Sequence, residues 1–143
     1  MGFIMRTYAI VLLCIILVIL IYTFLVEPNM ILVTVLRFET TKQLNITTYR
    51  IILISDLHLD GLGFREYRAV NLIKELKPDL IIIAGDLVDS LEGVESAIKF
   101  TYTLGNLSRV IIVWGNWDHW SGVDLSKFKN DLEKHTNIPV LVN

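Results

Sequence analysis

Four residues at three places in the sequence have the types and the spacing of divalent-metal ligands. Asp56 and His58 stand two positions apart, and Asp86 and Asn116 each follow a glycine. Side chains two positions apart on an extended strand point to the same side, so Asp56 and His58 are expected to converge. A glycine lets the backbone approach a bound ion closely. Carboxylate, imidazole and amide donors without a thiolate suit Mn, Fe or Zn.

Each of these residues also has an ordinary structural interpretation. An Asp after a strand often caps a helix or stabilises a turn, and that interpretation is favoured for Asp60 and Asp89. An isolated His58 would more often be a surface residue. The metal interpretation is preferred because the motifs follow three successive apolar runs. Asp89 and Asp118 are candidates for residues that support the metal ligands without binding the ion themselves.

The motifs lie at the ends of apolar runs that alternate with helical patterns. Short apolar runs predict strands buried on both faces, and apolar residues at i, i+3, i+4 and i+7 predict helices. In an open parallel α/β sheet the ligand lies outside the carboxyl ends of the strands, where all three motifs fall. The predicted strands are residues 30–38, 49–55, 80–84, 109–114 and 138–142. The predicted helices are residues 65–77, 94–104 and 124–134.

An uncharged stretch near the N-terminus predicts a membrane anchor. Residues 9–26 carry no charged side chain. At 1.5 Å per residue they form a helix of about 27 Å, close to the hydrocarbon thickness of a bilayer. A cleaved signal peptide is the alternative, but no A-x-A-like site follows. Residues 1–8 are the N-terminal flank, and residues 27–48 are predicted to be a strand and a polar connector. We expect a single-pass membrane protein. The flanking charges discriminate weakly between orientations, and an extracytoplasmic main domain is favoured.

Composition argues against several classes of function. The chain is 53% hydrophobic with a mean hydropathy of +0.55, largely because of the anchor. Its net charge of −2 and its lack of a basic run indicate no nucleic-acid partner. Cys14 is the only cysteine, which excludes an intrachain disulfide and a cysteine-based zinc site.

In their order and spacing the three motifs resemble those of the calcineurin-like metallophosphoesterase family, whose pattern is D-x-H, then G-D-x-x-D, then G-N-H-[DE]. Here they are Asp56-Leu57-His58, Gly85-Asp86-Leu87-Val88-Asp89 and Gly115-Asn116-Trp117-Asp118. With its anchor, the chain is similar to the membrane-bound prokaryotic phosphodiesterase branch. The resemblance covers residues 49–143. It implies an α/β fold, the N-terminal half of an α/β/β/α sandwich preceded by one transmembrane helix.

The resemblance also implies a dinuclear site for two divalent ions. In that site Asp56 and His58 bind the first ion, Asp86 bridges both ions, and Asn116 binds the second. The implied reaction is hydrolysis of a phosphomonoester or phosphodiester by a metal-activated water. The implied substrate is a small-molecule or lipid-like phosphoester.

Two departures from the family pattern bear on function. The family has a His after the Asn, whereas this chain has Trp117, which offers no acid–base nitrogen for that role. The later histidine-bearing segments of the family, including G-H-x-H, have no counterpart in this sequence. We therefore expect the chain to be the N-terminal part of a longer domain, incomplete at its C-terminal end. The alternative function is a non-catalytic metal- or nucleotide-binding membrane module.

His119 is the candidate catalytic residue in place of the family's histidine. In an extended segment the side chains at positions 117 and 119 point to the same side. His119 would therefore perform the catalytic role of the family's histidine, and Trp117 and Trp120 would line the site. The alternative is a solvent-facing His119 beside a packing tryptophan.

Overall fold

The protein is described here by a computed structural model, which describes residues 2–39 and 48–141. The chain divides into two compact units, Met1–Leu36 and Arg37–Asn143. The candidate ligands all belong to the second unit.

The first unit is dominated by one apolar helix. Helix α1 spans Gly2–Ile21 and continues through a π-helical turn, Tyr22–Val26, and a 3₁₀ turn, Glu27–Asn29. The helix therefore begins earlier than predicted, because Arg6 and Thr7 are accommodated within it. The stretch Ile4–Asn29 is long and apolar enough to cross a membrane, and none of it is buried.

The strand predicted over residues 30–38 does not form. Residues 30–39 contain neither helix nor strand. β-Branched residues favour a strand only where a neighbour completes the hydrogen bonds and the packing, and no strand among the described residues pairs with this segment. Most of the polar connector, residues 40–47, lies outside the described residues.

The second unit is built on a parallel sheet of four strands in the order β1-β2-β3-β4. Each predicted strand from residue 49 onwards is confirmed within the described residues, with ends unchanged or trimmed by one or two residues. Adjacent strands start in register, Ile51 opposite Leu80 and Leu80 opposite Arg109. All strands run the same way, so their carboxyl ends lie at one edge. The strands are Ile51–Ile54 (β1), Leu80–Ala84 (β2), Arg109–Val113 (β3) and Val140–Leu141 (β4).

Helices connect successive strands, as predicted. Right-handed crossovers between strands in consecutive order place their helices on one face of the sheet, and α3 contacts both α2 and α5. Lys77 and Asn137 end α2 and α5 in the left-handed conformation. A fourth, short helix after β3 was not predicted. The helices are Phe64–Leu76 (α2), Gly93–Gly105 (α3), Asn116–Trp120 (α4) and Leu125–Thr136 (α5).

The core lies between these helices and one face of the sheet. Ile81, Ile83 and Ile112 are fully buried there against Phe100 and Phe128. The opposite face is apolar but accessible, so the prediction of burial on both faces is wrong for the described residues. Ile51 and Leu53 on that face are 55% and 67% exposed. The described residues therefore supply one helical layer and one sheet of the expected α/β fold.

Candidate metal centre

The loops after β1 and β2 run side by side beyond the sheet edge. The His58 N–H donates to the Asp86 carbonyl at 2.9 Å, and the Asp56 N–H donates to the Gly85 carbonyl at 3.3 Å. A further pairing joins Leu59 to the second loop. Parallel pairing therefore continues past the strand ends and holds the first two motifs together.

Three candidate ligands adopt left-handed backbone conformations. Asp56, His58 and Asp86 have φ angles of 54°, 46° and 55°. A residue other than glycine in this conformation costs about 1–2 kcal/mol of folding free energy. Backbone strain of this kind concentrates at functional sites. The extended geometry expected for Asp56 and His58 is therefore wrong, although the two side chains do converge. The left-handed conformation at both Asp56 and His58 brings their side chains together.

The three side chains form a group that fits one divalent ion. One donor atom from each of Asp56, His58 and Asp86 lies within 4.8 Å of the other two. Ligand atoms about 2.1 Å from a shared ion lie up to about 4.2 Å apart, so small side-chain rotations would complete coordination. Two carboxylates at this separation also repel each other unless a cation lies between them. Geometry and charge both suit a metal.

Two glycines bring the third motif against Asp86. A Cβ on Gly115 would lie 2.2 Å from Asp86 Oδ1, and a Cβ on Gly85 would lie 2.8 Å from the Gly115 Cα. The Trp117 N–H donates to Asp86 Oδ1 at 2.9 Å. Asn116 lies between two residues that touch Asp86, and it is exposed. It is therefore placed next to the three-residue group, and its role as a ligand stays a prediction.

Asp118 connects the second and third motifs through hydrogen bonds to its side chain. Its carboxylate is fully buried. It accepts four backbone N–H bonds, from Gly115, Asp86, Leu87 and Val88, at 2.8–3.0 Å. Hydrogen bonds to an ionised group are the stronger kind. Asp118 thus fixes the conformation of both loops, and its role in supporting the metal ligands stays a prediction.

The Asp89 side chain contacts His58, and its interpretation as a turn residue does not include this contact. The Asp89 Oδ1 lies 2.5 Å from the His58 Nδ1. A carboxylate at one ring nitrogen directs the other nitrogen towards a metal. The contact with Asp89 leaves Nε2 as the His58 ring nitrogen available to an ion.

Arg65 and Glu66 form a further support that was not predicted from the sequence. The Arg65 guanidinium donates to the Leu57 carbonyl at 2.8 Å, in the peptide between the two ligands of the first motif. It also donates to Glu66, which accepts from the Gly63 N–H at 2.8 Å. Burial raises the pKa of the Glu66 carboxyl, but these hydrogen bonds outweigh it and hold the pKa below its ordinary value. The signal for this arrangement is an acidic residue three positions after a helix N-cap.

The segment around His119 is helical, so the geometric basis of its predicted catalytic role is wrong. At 100° per residue, positions 117 and 119 of α4 are separated by a rotation of about 200°, so their side chains point to nearly opposite sides of the helix. The Trp117 ring lies 5.6 Å from the His58 ring at 83°. His119 lies instead in a pocket with Trp114, Ser126 and Lys129. His119 is not one of the three grouped donors, and its catalytic role stays a prediction without support from the geometry.

Comparison with known proteins gives a matching family and a similar solved structure. The profile of the calcineurin-like phosphoesterase family matches residues 49–141, well over half of the chain. A search of curated proteins finds no significant match. Among solved structures, the phosphopantetheinyl hydrolase PptH from Mycobacterium tuberculosis is similar, with 21% identity and a TM-score of 0.44. That match covers 65% of this chain and 34% of the hydrolase, so this chain spans about a third of that protein.

The family profile spans all three motifs and every strand of the sheet. The grouped Asp56, His58 and Asp86 lie inside the matched region. The chain therefore belongs to the calcineurin-like phosphoesterase family.

Proposed function

We propose that the protein is a membrane-anchored, metal-dependent phosphoesterase that hydrolyses a phosphomonoester or a phosphodiester with a metal-activated water. The observation that carries this proposal is the convergence of Asp56, His58 and Asp86 within 4.8 Å, inside a domain of this family. A divalent ion held by such donors activates a water and neutralises charge on a phosphoryl group.

The site would hold two divalent ions, of Mn, Fe or Zn. Asp56 and His58 would hold the first ion and Asn116 the second, with Asp86 bridging them. The central place of Asp86 supports the bridging role. Its backbone pairs with the first motif through His58, and its carboxylate faces the third motif through the Trp117 N–H.

The catalytic proposal is tested by hydrolysis of bis(4-nitrophenyl) phosphate with added Mn²⁺, using the longest product of the coding region. Asp86→Ala should lower kcat/KM by about a thousandfold or more, because the bridging carboxylate holds both ions. Asp60→Ala removes an exposed carboxylate from the first loop and serves as the matched control. Retained hydrolysis in Asp86→Ala would rule out the assignment.

Trp117 favours a second candidate function, a non-catalytic metal- or nucleotide-binding membrane module. It occupies the position of the family's histidine and contacts His58 directly. Calorimetric titration with Mn²⁺ separates the two candidates when combined with the hydrolysis assay. Tight binding of Mn²⁺ without turnover of phosphomonoesters or phosphodiesters would favour the module.

We propose single-pass anchoring with the domain outside the cytoplasm. The stretch Ile4–Asn29, which is long and apolar enough to cross a membrane, supports the anchoring. In a Cys14→Ser background, the exposed Ser126 can be replaced by Cys and treated with a membrane-impermeant maleimide on intact cells. Labelling of intact cells is the expected result. Labelling only after lysis would place the domain in the cytoplasm. Release of the chain from membranes by alkaline carbonate would argue against anchoring.

A further inference from the structure

We propose that Trp117 and Trp120 form an aromatic wall beside the metal centre, and that this wall selects phosphoesters with a planar aromatic substituent, an aryl ring or a nucleobase. The inference rests on the proposed function, because the phosphoryl group must sit at the Asp56, His58 and Asp86 group for the wall to meet its substituent.

The wall is fixed to the metal ligands at two points. The Trp117 N–H donates to Asp86 Oδ1 at 2.9 Å. The Trp117 indole meets the His58 ring edge-to-face, with the ring centroids 5.6 Å apart. A group bound next to these two ligands therefore lies within reach of the indole.

The two rings of the wall remain accessible, in contrast to the third tryptophan. Trp117 is 46% exposed and Trp120 is 70% exposed, and their centroids lie 5.8 Å apart at 71°. Trp114 is instead half-buried and stacks on Phe128 at 5.2 Å and 25°. Trp114 is a packing residue, whereas the wall leaves much of its indole surface free for a ligand.

The chemistry of the wall favours a planar ring over other occupants. Stacking between aromatic rings adds about 0.5–1.5 kcal/mol beyond the burial of apolar area, which an alkyl chain does not gain. A lipid surface is disfavoured, because Asp89 is 45% exposed and pairs with the His58 that touches the wall. Burying that pair in hydrocarbon would remove its charge from water at high cost.

The test is calorimetric binding of phosphonates to the full chain in mild detergent with Mn²⁺. Phenylphosphonate should bind about two- to twelvefold more tightly than hexylphosphonate, the fold-change that the stacking contribution predicts. Methylphosphonate measures the phosphoryl contact alone. A nucleoside 5′-phosphonate distinguishes the two sources of a planar ring, since it will bind more tightly than phenylphosphonate only if the wall accepts a nucleobase.

Variants connect this preference to the wall. Trp117→Phe should retain most of the preference for phenyl over hexyl, whereas Trp117→Leu should abolish it. Trp120→Leu should reduce it less. Tyr102→Leu, which removes an exposed aromatic side chain from α3, is the matched control and should leave it unchanged.

Failure of the inference differs from failure of the proposed function. Methylphosphonate binding with equal affinities for phenyl- and hexylphosphonate would overturn the aromatic wall alone. A preference that survives in Trp117→Leu would overturn it as well. An absence of Mn²⁺-dependent binding for every phosphonate would remove the proposed function, and the inference with it.

Discussion

The candidate metal centre has a buried side and an exposed side, which are held in different ways. On the buried side, Asp86 is 9% exposed and Asp118 is fully buried, and backbone N–H groups and close glycine contacts hold both loops. On the exposed side, the His58 and Asp89 side chains are 30% and 45% exposed and mainly hold each other. The Trp117 ring, which contacts the His58 ring, also belongs to this side.

This difference separates folding from function. A change on the buried side leaves polar backbone groups without partners inside the protein, so it costs stability as well as metal binding. A change on the exposed side can be compensated by water, so its cost should appear mainly in metal or substrate binding.

The largest effect is expected for Asp118→Ala, which removes the acceptor of four backbone N–H groups. Unpaired buried donors cost about 1–3 kcal/mol each, so the free energy of unfolding should fall by at least about 3 kcal/mol. Urea denaturation in mild detergent measures it. Asp124→Ala is the matched control, because Asp124 accepts two N–H bonds at the exposed start of α5, and an exposed helix cap contributes about 1 kcal/mol. Equal losses for the two variants would remove the distinction between buried and exposed sides.

Gly115→Ala should have the next largest effect, because the new Cβ would lie 2.2 Å from Asp86 Oδ1 and 2.5 Å from the Asp86 nitrogen. Relief requires movement of the loop, at a cost of about 2–3 kcal/mol, and should also weaken Mn²⁺ binding. Gly61→Ala is the control, since nothing lies within 4 Å of a Cβ there. Unfolding and Mn²⁺ titration measure the two losses. Unchanged Mn²⁺ affinity in Gly115→Ala would mean that contact with the third motif does not position Asp86.

Asp89→Ala tests the exposed side. Loss of the carboxylate at His58 Nδ1 should weaken Mn²⁺ binding about 10- to 100-fold, while the free energy of unfolding stays within about 0.5 kcal/mol. Asp60→Ala provides a control for the loss of one negative charge nearby. A large loss of stability, or a similar loss of affinity in Asp60→Ala, would contradict the positioning role of Asp89.

Glu66→Gln should have the smallest effect, and one that depends on pH. The pKa of Glu66 is held below its ordinary value of 4.5, so its contribution to stability is present above that pH and is lost as the pH falls through the lowered pKa. The variant should be less stable by about 1 kcal/mol at neutral pH, and the difference should shrink in acid. Thermal unfolding between pH 3 and 7 measures it. A difference that grows in acid would contradict the direction of the shift.

Much of the fold could be predicted from local pattern. The apolar runs and the helical periodicities depend on neighbouring residues, which explains why β2 was predicted with its observed bounds and the ends of the other sheet strands within two residues. The segment 30–38 has a strand-like composition but lacks a described partner, and α4 is too short to show a helical period. Both errors come from elements that local sequence underdetermines.

The sequence by itself determined the types of the candidate ligands, their order and their place at the carboxyl ends of parallel strands, because periodicity and the direction of the connections depend on local residues. Only the tertiary structure decided how the ligands converge and what holds them. His58 and Asp89 are 31 positions apart, and Asp86 and Asp118 are 32 apart. Such pairings arise when separate loops pack together, and no local pattern encodes them. The same packing placed Trp117 against His58 and placed His119 in a different pocket.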